Sequence, residues 1–333
     1  MFQRLRGVLA GSGAAAFSEP SLCNVVLSMT GKTNATGELT SQVQIAYVGT
    51  ATYDLAAPRQ TQTHQFISKG CTVVDVTLAL PHNTLSKEAQ HSIVESSDII
   101  LVSGGNTLFA MNRWRDEGFN VVLKEAAATG KIICGGSAGA ICWFDGGHSD
   151  SMDPETYCNA MLSKATDADA TSPVRDDCSL SGVAKQWRYI RVPGLGVLPG
   201  IFCPHHDRVQ SNGVLRALDF DEMLLRHRGE RGIALDHFAA IVIDSGKYSL
   251  FRVEGKSGSD VGTDSPCFDC GGLPGLWIKF VDDSGRIRVR RMEKGPLEEL
   301  LAPAKWISFD PLVETCSLEN PSGNRKAAMS VIE

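Results

Sequence analysis

Short apolar runs recur along the first two-thirds of the chain, separated by stretches whose apolar residues fall at helical spacing. Asn24–Ser28 (NVVLS), Val43–Val48 (VQIAYV), Cys71–Leu78 (CTVVDVTL), Asp98–Val102 (DIILV) and Lys131–Cys134 read as strands. Between them, residues 58–69, 86–96 and 106–129 read as helices, with Ser86 as an N-cap and Gly130 as a stop. Continuous apolar strands alternating with helices predict a mostly parallel sheet covered on both faces. Right-handed crossovers then gather the functional loops at the strands' C-terminal ends.

Residues 152–186 break this rhythm. They are rich in Asp, Ser, Thr and Ala and read as a surface insertion. Order resumes at Tyr189–Val192 and Gly196–Leu198, with a helix expected over 213–228 and an apolar strand over Ala239–Ile243. Beyond 245 the pattern is one of strands and turns. The expected organisation is a leader or frayed N-terminus over 1–23, a main α/β domain over 24–245, a strand-rich extension over 246–317 and a tail over 318–333. The two arginines and missing acids before Glu19 give residues 1–23 the look of a transit segment.

Composition narrows the functional classes. The chain has 333 residues, of which 43% are hydrophobic and 21% charged, so a disordered chain is excluded. A net charge of −6 with no long basic run argues against a nucleic-acid binder. No apolar run approaches the length that spans a bilayer. Ten cysteines are too few for a disulfide scaffold, and several sit inside apolar runs. A reduced, cytoplasmic protein is expected, with a mitochondrial address as the alternative. Cys267-Phe268-Asp269-Cys270 is a lone C-x-x-C without a second pair, so neither metal nor redox chemistry is expected from it. Gly11-Ser12-Gly13 lacks the preceding strand and following acid of a dinucleotide fingerprint. Arg286–Arg291 alternates like a strand with a solvated, charged face.

The segment with chemical content is Lys131–Phe144 (KIICGGSAGAICWF). It holds G-x-S-x-G at Gly135–Gly139, between a strand and a helix-like run, which is the context a nucleophile elbow requires. The tight turn projects the Ser137 hydroxyl and aims the Ala138 amide at a developing oxyanion, aided by the helix N-terminus. For a base, His205 and His206 stand out after the apolar run Ile201-Phe202-Cys203, with His148 and His237 as competitors. Adjacent side chains in an extended segment point oppositely, so chelation of a metal by the 205/206 pair is disfavoured. Asp236, before the apolar strand AAIVI, is a candidate acid to orient the base.

Five motifs follow one another in order: Ser103–Thr107 (SGGNT), Gly135–Ala140 (GGSAGA), Cys142–Gly147 (CWFDGG), Gly194–Gly200 (GLGVLPG) and Cys203–Asp207 (CPHHD). Together they resemble the aspartyl dipeptidase (peptidase E) and cyanophycinase family of serine peptidases, over roughly residues 24–245. The resemblance implies a three-layer sandwich related to the class I glutamine amidotransferase and flavodoxin-like folds. It implies a triad of Ser137, His205 and Asp236, with His205 favoured over His206 because the family's histidine follows the Cys-Pro or Asn-Pro step. It places a second oxyanion donor in the Gly104-Gly105 turn, and Asn106 beside it is a candidate substrate-binding residue as well as a candidate cap of that turn. It also points to Arg216, rather than Arg208, as partner of a substrate aspartyl carboxylate, and to Asp150 for a substrate ammonium group.

The expected activity is therefore cofactor-independent hydrolysis of small peptides, with N-terminal aspartyl dipeptides as the favoured substrate. The expected partner is a peptide substrate, with no nucleic acid, membrane or metal, and the chain is open to homodimerisation. Two other readings stand beside it. An α/β-hydrolase esterase would pair Asp150 with His237, in the chain order Ser…Asp…His. A catalytically silent binding protein on the same fold would carry these residues without turnover.

Overall fold

The computed structural model describes residues 2–153, 188–209, 212–258 and 272–302. The insertion, the C-x-x-C motif and the tail expected from sequence lie outside, or almost wholly outside, these residues. Fourteen strands among the described residues form two sheets.

The first sheet is built from β1 (Arg6–Ala10), β2 (Gln44–Val48), β3 (Thr72–Asp75), β4 (Ile99–Val102), β5 (Ile132–Gly136), β10 (Ala239–Asp244), β11 (Lys247–Arg252) and β14 (Lys294–Pro296). Its order is β14-β11-β10-β1-β5-β4-β2-β3, and the five strands from β1 to β3 run parallel. The second sheet has the order β13-β12-β9-β8-β6-β7. It comprises β6 (Phe144–Ser149), β7 (Ile190–Pro193), β8 (Leu198–Cys203), β9 (Gly232–Leu235), β12 (Leu276–Val281) and β13 (Ile287–Met292). Here β6, β8 and β9 are the parallel strands. The α/β class stands as expected, but the parallel strands divide between two sheets. The strands beyond 245 extend both sheets: β11 and β14 continue the first, β12 and β13 the second. The arginine-rich β13 is an edge strand, and Arg288, Arg290 and Arg291 pair with Asp282, Glu299 and Glu293.

Alternation along β1 explains the layering. Leu9 enters the core shared with Val102 and Ile133 of the first sheet and Phe202, Ile233 and Leu235 of the second. Val8 and Ala10 face the opposite core, with Phe17, Leu22, Val26 and Phe66. That core is covered by α1 (Ala14–Phe17), α2 (Pro20–Ser28) and α3 (Ala56–Ser68). On the Leu9 side lie α4 (Lys87–Ser96), α5 (Thr107–Glu117), α6 (Phe119–Ala128) and α7 (Ala138–Ile141). The outer face of the second sheet is covered by α8 (Arg216–Arg226) through Phe220, Met223 and Leu224.

Two expectations are corrected. Residues 6–10, read as part of a leader, form a central strand between β5 and β10, with Val8, Leu9 and Ala10 wholly buried. Burial of Val8 and Leu9 alone contributes on the order of 1.5–3 kcal/mol each, which a frayed segment would forgo. Residues 24–28 belong to α2, not to a strand. Pro20 opens this helix, and its buried residues Leu22, Cys23, Val26 and Leu27 share one helical face. The Ser86 cap is found as expected, its side chain accepting from the Ala89 amide at 3.2 Å.

Candidate active site

Ser137 sits between β5 and α7 with φ 54° and ψ −120°, a strained conformation for a residue with a side chain. The strain is imposed by close packing on either side. A Cβ at Gly139 would meet the Val102 carbonyl at 2.2 Å, so only glycine lets α7 approach β4 this closely. Gly135, Gly136 and Ala138 are buried around it, while Ser137 keeps partial exposure. The turn therefore presents one hydroxyl to the cleft, as a nucleophile elbow does.

His205 follows β8 and is also left-handed, with φ 50°. Its Nε2 lies 2.9 Å from Ser137 Oγ, in position to accept the hydroxyl proton. Burial and the neighbouring Arg216, His237 and Arg208 hold His205 well below the usual imidazole range, so it is a neutral base at neutral pH.

The backbone at the end of β1 anchors this pair. Ser137 N donates to the Ala10 carbonyl at 3.1 Å, and His205 N to the Gly11 carbonyl at 3.1 Å. Ser12 Oγ donates to the His237 carbonyl at 2.7 Å. Three consecutive residues thus tie together the elbow, the histidine loop and the β9–β10 loop. Sequence reading missed this hub, although the apolar run Gly7–Ala10 ending in Gly-x-Gly was a strand-and-turn signal.

The residue facing the other nitrogen of His205 is not Asp236. His205 Nδ1 lies 2.7 Å from His237 Nδ1. Asp236 instead turns inward, where its Oδ1 is 3.4 Å from His206 Nδ1 and its Oδ2 accepts the Gly275 amide at 2.9 Å. Asp236 is 2% exposed and His206 wholly buried, whereas Ser137, His205 and His237 all keep partial exposure. Burial, reinforced by Asp207, pushes the Asp236 carboxyl well above its usual range. The Asp207 carboxylate holds the His237 backbone amide at 2.8 Å.

The expected oxyanion donors also separate. Gly104 N donates to Gln62 Oε1 at 3.2 Å and is buried. Gly105 is exposed at φ 122°, a conformation suited to glycine, and a Cβ there would meet the Ala51 carbonyl at 2.3 Å. The Gly105 and Ala138 amides have no intramolecular acceptor among the described residues. Asn106, a substrate-binding candidate from sequence, is instead buried as the cap of α5: its Oδ1 accepts from Phe109 N at 3.0 Å and its Nδ2 donates to the Ser151 carbonyl at 3.3 Å.

Arg216 opens α8 and is wholly buried. It donates to the His148 carbonyl at 2.6 Å and, through Nε, to His148 Nδ1 at 3.3 Å. The guanidinium carbon lies 4.7 Å from the centre of the Tyr189 ring, and Nη1 is 3.8 Å from Asp150 Oδ2. His148 Nε2 donates to Asp219 at 2.8 Å. Burial and Arg216 keep His148 neutral, well below its usual range. Its ring is therefore spoken for on both sides and does not compete with His205 as base. Asp150 keeps 30% of its side chain exposed. Among the described residues no group of three or more His, Cys, Asp or Glu side chains is arranged to hold a metal ion.

The model of peptidase family S51 matches residues 33–251, which include Ser137, His205, Arg216 and His237. The chain belongs to peptidase family S51. Membership of S51 makes it a serine-type peptidase, as the motif order had implied. The β1 hub lies N-terminal to the matched span. A Trypanosoma brucei brucei protein named G2/mitotic-specific cyclin-1 is 30% identical over 330 residues, which are 96% of this chain and 94% of that protein. The uncharacterized peptidase YgaJ of Bacillus subtilis (strain 168) is 30% identical over 166 residues, 50% of this chain and 56% of YgaJ. Among solved structures, a putative peptidase E from Listeria monocytogenes EGD-e aligns with a TM-score of 0.48 at 16% identity, covering 74% of this chain and 98% of that one. A peptidase from an acI-B1 Actinobacterium aligns with a TM-score of 0.49 at 14% identity, covering 77% and 94%. Among the described residues, no helix of this S51 chain is long and apolar enough to cross a membrane.

Proposed function

We propose that this S51 peptidase hydrolyses small peptides, with N-terminal aspartyl dipeptides as its preferred substrates, through Ser137 as nucleophile and His205 as base. The observation that carries the reading is the 2.9 Å contact between Ser137 Oγ and His205 Nε2 at a strained elbow. Ser137 Oγ attacks the scissile carbonyl as its proton passes to His205 Nε2. The carbonyl oxygen becomes an oxyanion held by the Ala138 and Gly105 amides. His205 then gives the proton to the leaving amine, and water hydrolyses the acyl-enzyme by the same steps in reverse order.

Preference for aspartate rests on charge. Arg216 and Arg208 both bear on His205, so a substrate carboxylate beside the base meets positive potential. Arg216 is held by His148 and Asp150, and in this reading a substrate ammonium group takes over Asp150 while the aspartyl carboxylate takes up the guanidinium. Among the described residues, five buried free thiols, Cys23, Cys71, Cys134, Cys142 and Cys203, favour a reducing compartment such as the cytoplasm. The cyclin name of the trypanosomal relative stays with that protein; the serine–histidine geometry speaks to hydrolysis.

The test is a panel of Asp-Xaa, Glu-Xaa, Xaa-Asp and isoaspartyl dipeptides, with a fluorophosphonate label reporting the nucleophile. Asp-Xaa should be cleaved fastest, and Ser137→Ala should abolish both labelling and turnover. Equal rates across the panel would remove the aspartyl preference. A folded protein that neither labels nor turns over would be a silent binding module.

A further inference from the structure

We infer that His237 takes the place of the triad's acid, so that catalysis here runs on a serine–histidine–histidine relay. The inference rests on the Ser137–His205 reading above and extends it by one residue.

The tautomers follow from the contacts. For His205 to act as base, Nε2 must be unprotonated and accept from Ser137 Oγ. The ring proton of neutral His205 then resides on Nδ1. That N–H points at His237 Nδ1, 2.7 Å away, which must be the bare nitrogen of a neutral imidazole. One hydrogen-bonded line therefore runs from Ser137 Oγ through His205 to His237. His237 is fixed for this task through its backbone: its amide donates to Asp207 and its carbonyl accepts from Ser12. Phe238 packs edge-on against its ring at 4.5 Å.

The alternative acid is occupied. Asp236 is committed to Gly275 and His206 inside the core, and neither of the two ring contacts of His205 involves it. Among the described residues, the titratable and charged groups around the relay include Asp207 and Arg208 after β8, Arg216 at the start of α8, Asp236 beside His206, and Lys256, whose ammonium lies 5.4 Å from the centre of the Phe238 ring. An imidazole acceptor orients His205 as a carboxylate would, but it adds no negative charge to steady the imidazolium formed in the transition state. His237 is thus a positioning residue, and it leaves the base with a low proton affinity.

The test uses the full-length chain, a fluorophosphonate probe and labelling rates across pH 5–9. His237→Ala should slow labelling roughly 10- to 100-fold, the range expected for losing one hydrogen bond to a group that becomes charged. His237→Asn carries an oxygen at the position of Nδ1 and should recover most of that loss. His237→Asp supplies a carboxylate there, which should move the acid limb of the profile to higher pH than in the wild type or the Asn variant. Melting curves check that each variant is folded. Should the Ala variant fail to fold, the Asp-against-Asn shift of the acid limb decides. Labelling that requires Ser137 and His205 but is unmoved in all three His237 variants would overturn the relay and leave the serine–histidine reading intact. Absence of wild-type labelling, or its persistence in Ser137→Ala, would overturn both.

Discussion

Replacing Asp236 separates the two roles a carboxylate can play beside a catalytic histidine. In a triad, exchanging the acid for its amide leaves the shape intact but traps the wrong tautomer and costs about 10⁴ in rate. The geometry here predicts otherwise. Asp236→Asn keeps an oxygen for the Gly275 amide at 2.9 Å and an amide beside His206. Fluorophosphonate labelling should stay within a few-fold of wild type. Asp236→Ala withdraws the acceptor from two buried groups, each loss costing about 1–3 kcal/mol, so roughly 2–6 kcal/mol of stability is lost. The pH dependence carries a further sign. The folded carboxyl titrates well above its usual 3.8 because of burial and Asp207. An acid raised in this way contributes stability at low pH that is lost as pH rises through the window between the two values. The always-neutral asparagine escapes that loss, so urea denaturation should show Asp236→Asn improving relative to wild type from pH 4 to pH 7. A 10⁴-fold loss of labelling in a folded Asp236→Asn protein would refute this assignment.

Other consequences are equally direct. Since His205 titrates below the ordinary 6.5, labelling by the wild type should remain flat through pH 6.5 and fall only at lower pH; an acid limb above 6.5 would contradict a base without a carboxylate partner. Deletion of residues 2–12 removes the strand between β5 and β10 together with the anchors of Ser137, His205 and His237, and should give an insoluble or unlabelled product, whereas a true leader would be dispensable. Lys279 is wholly buried, 2.7 Å from Asp221, so Lys279→Met should cost about 3–5 kcal/mol by stranding the carboxylate. The double variant with Asp221→Leu should recover much of that in urea melts.

The elbow was legible because its signal is local. A serine flanked by small residues between a strand and a helix is marked by five consecutive residues, Gly135–Gly139, even though the close approaches that require their small size, Gly139 to Val102 and Gly136 to Ser12, are made to other strands and turns. The helix caps at Ser86 and Asn106 were readable for the same reason: donor and acceptor lie three residues apart. The central strand β1 was hidden because its five residues find both strand partners more than a hundred residues away. The arginines at 4 and 6, which suggested a leader, sit at its entry; Arg6 pairs with Asp244 on the neighbouring β10. The division of the parallel strands into two sheets was likewise invisible, since a buried strand looks the same whichever sheet it joins.

The histidine–carboxylate pairing was missed for a reason that the backbone makes plain. Strands β8 and β9 run parallel with Ile201 opposite Gly232, Phe202 opposite Ile233 and Cys203 opposite Ala234. Continued past the strand ends, that register would set residue 205 against 236, the pairing that motif order suggests. The left-handed turn at His205 breaks the register. His205 N is drawn to Gly11 at the end of β1, while His206 N returns to the Leu235 carbonyl of β9. Successive side chains then leave on opposite sides: His206 and Asp236 meet in the core, and His205 and His237 meet in the cleft. A reversal of φ at one residue decides which neighbour becomes the orienting group. It also follows that the identity of residue 237, rather than of 236, is the point at which the strength of the base is set.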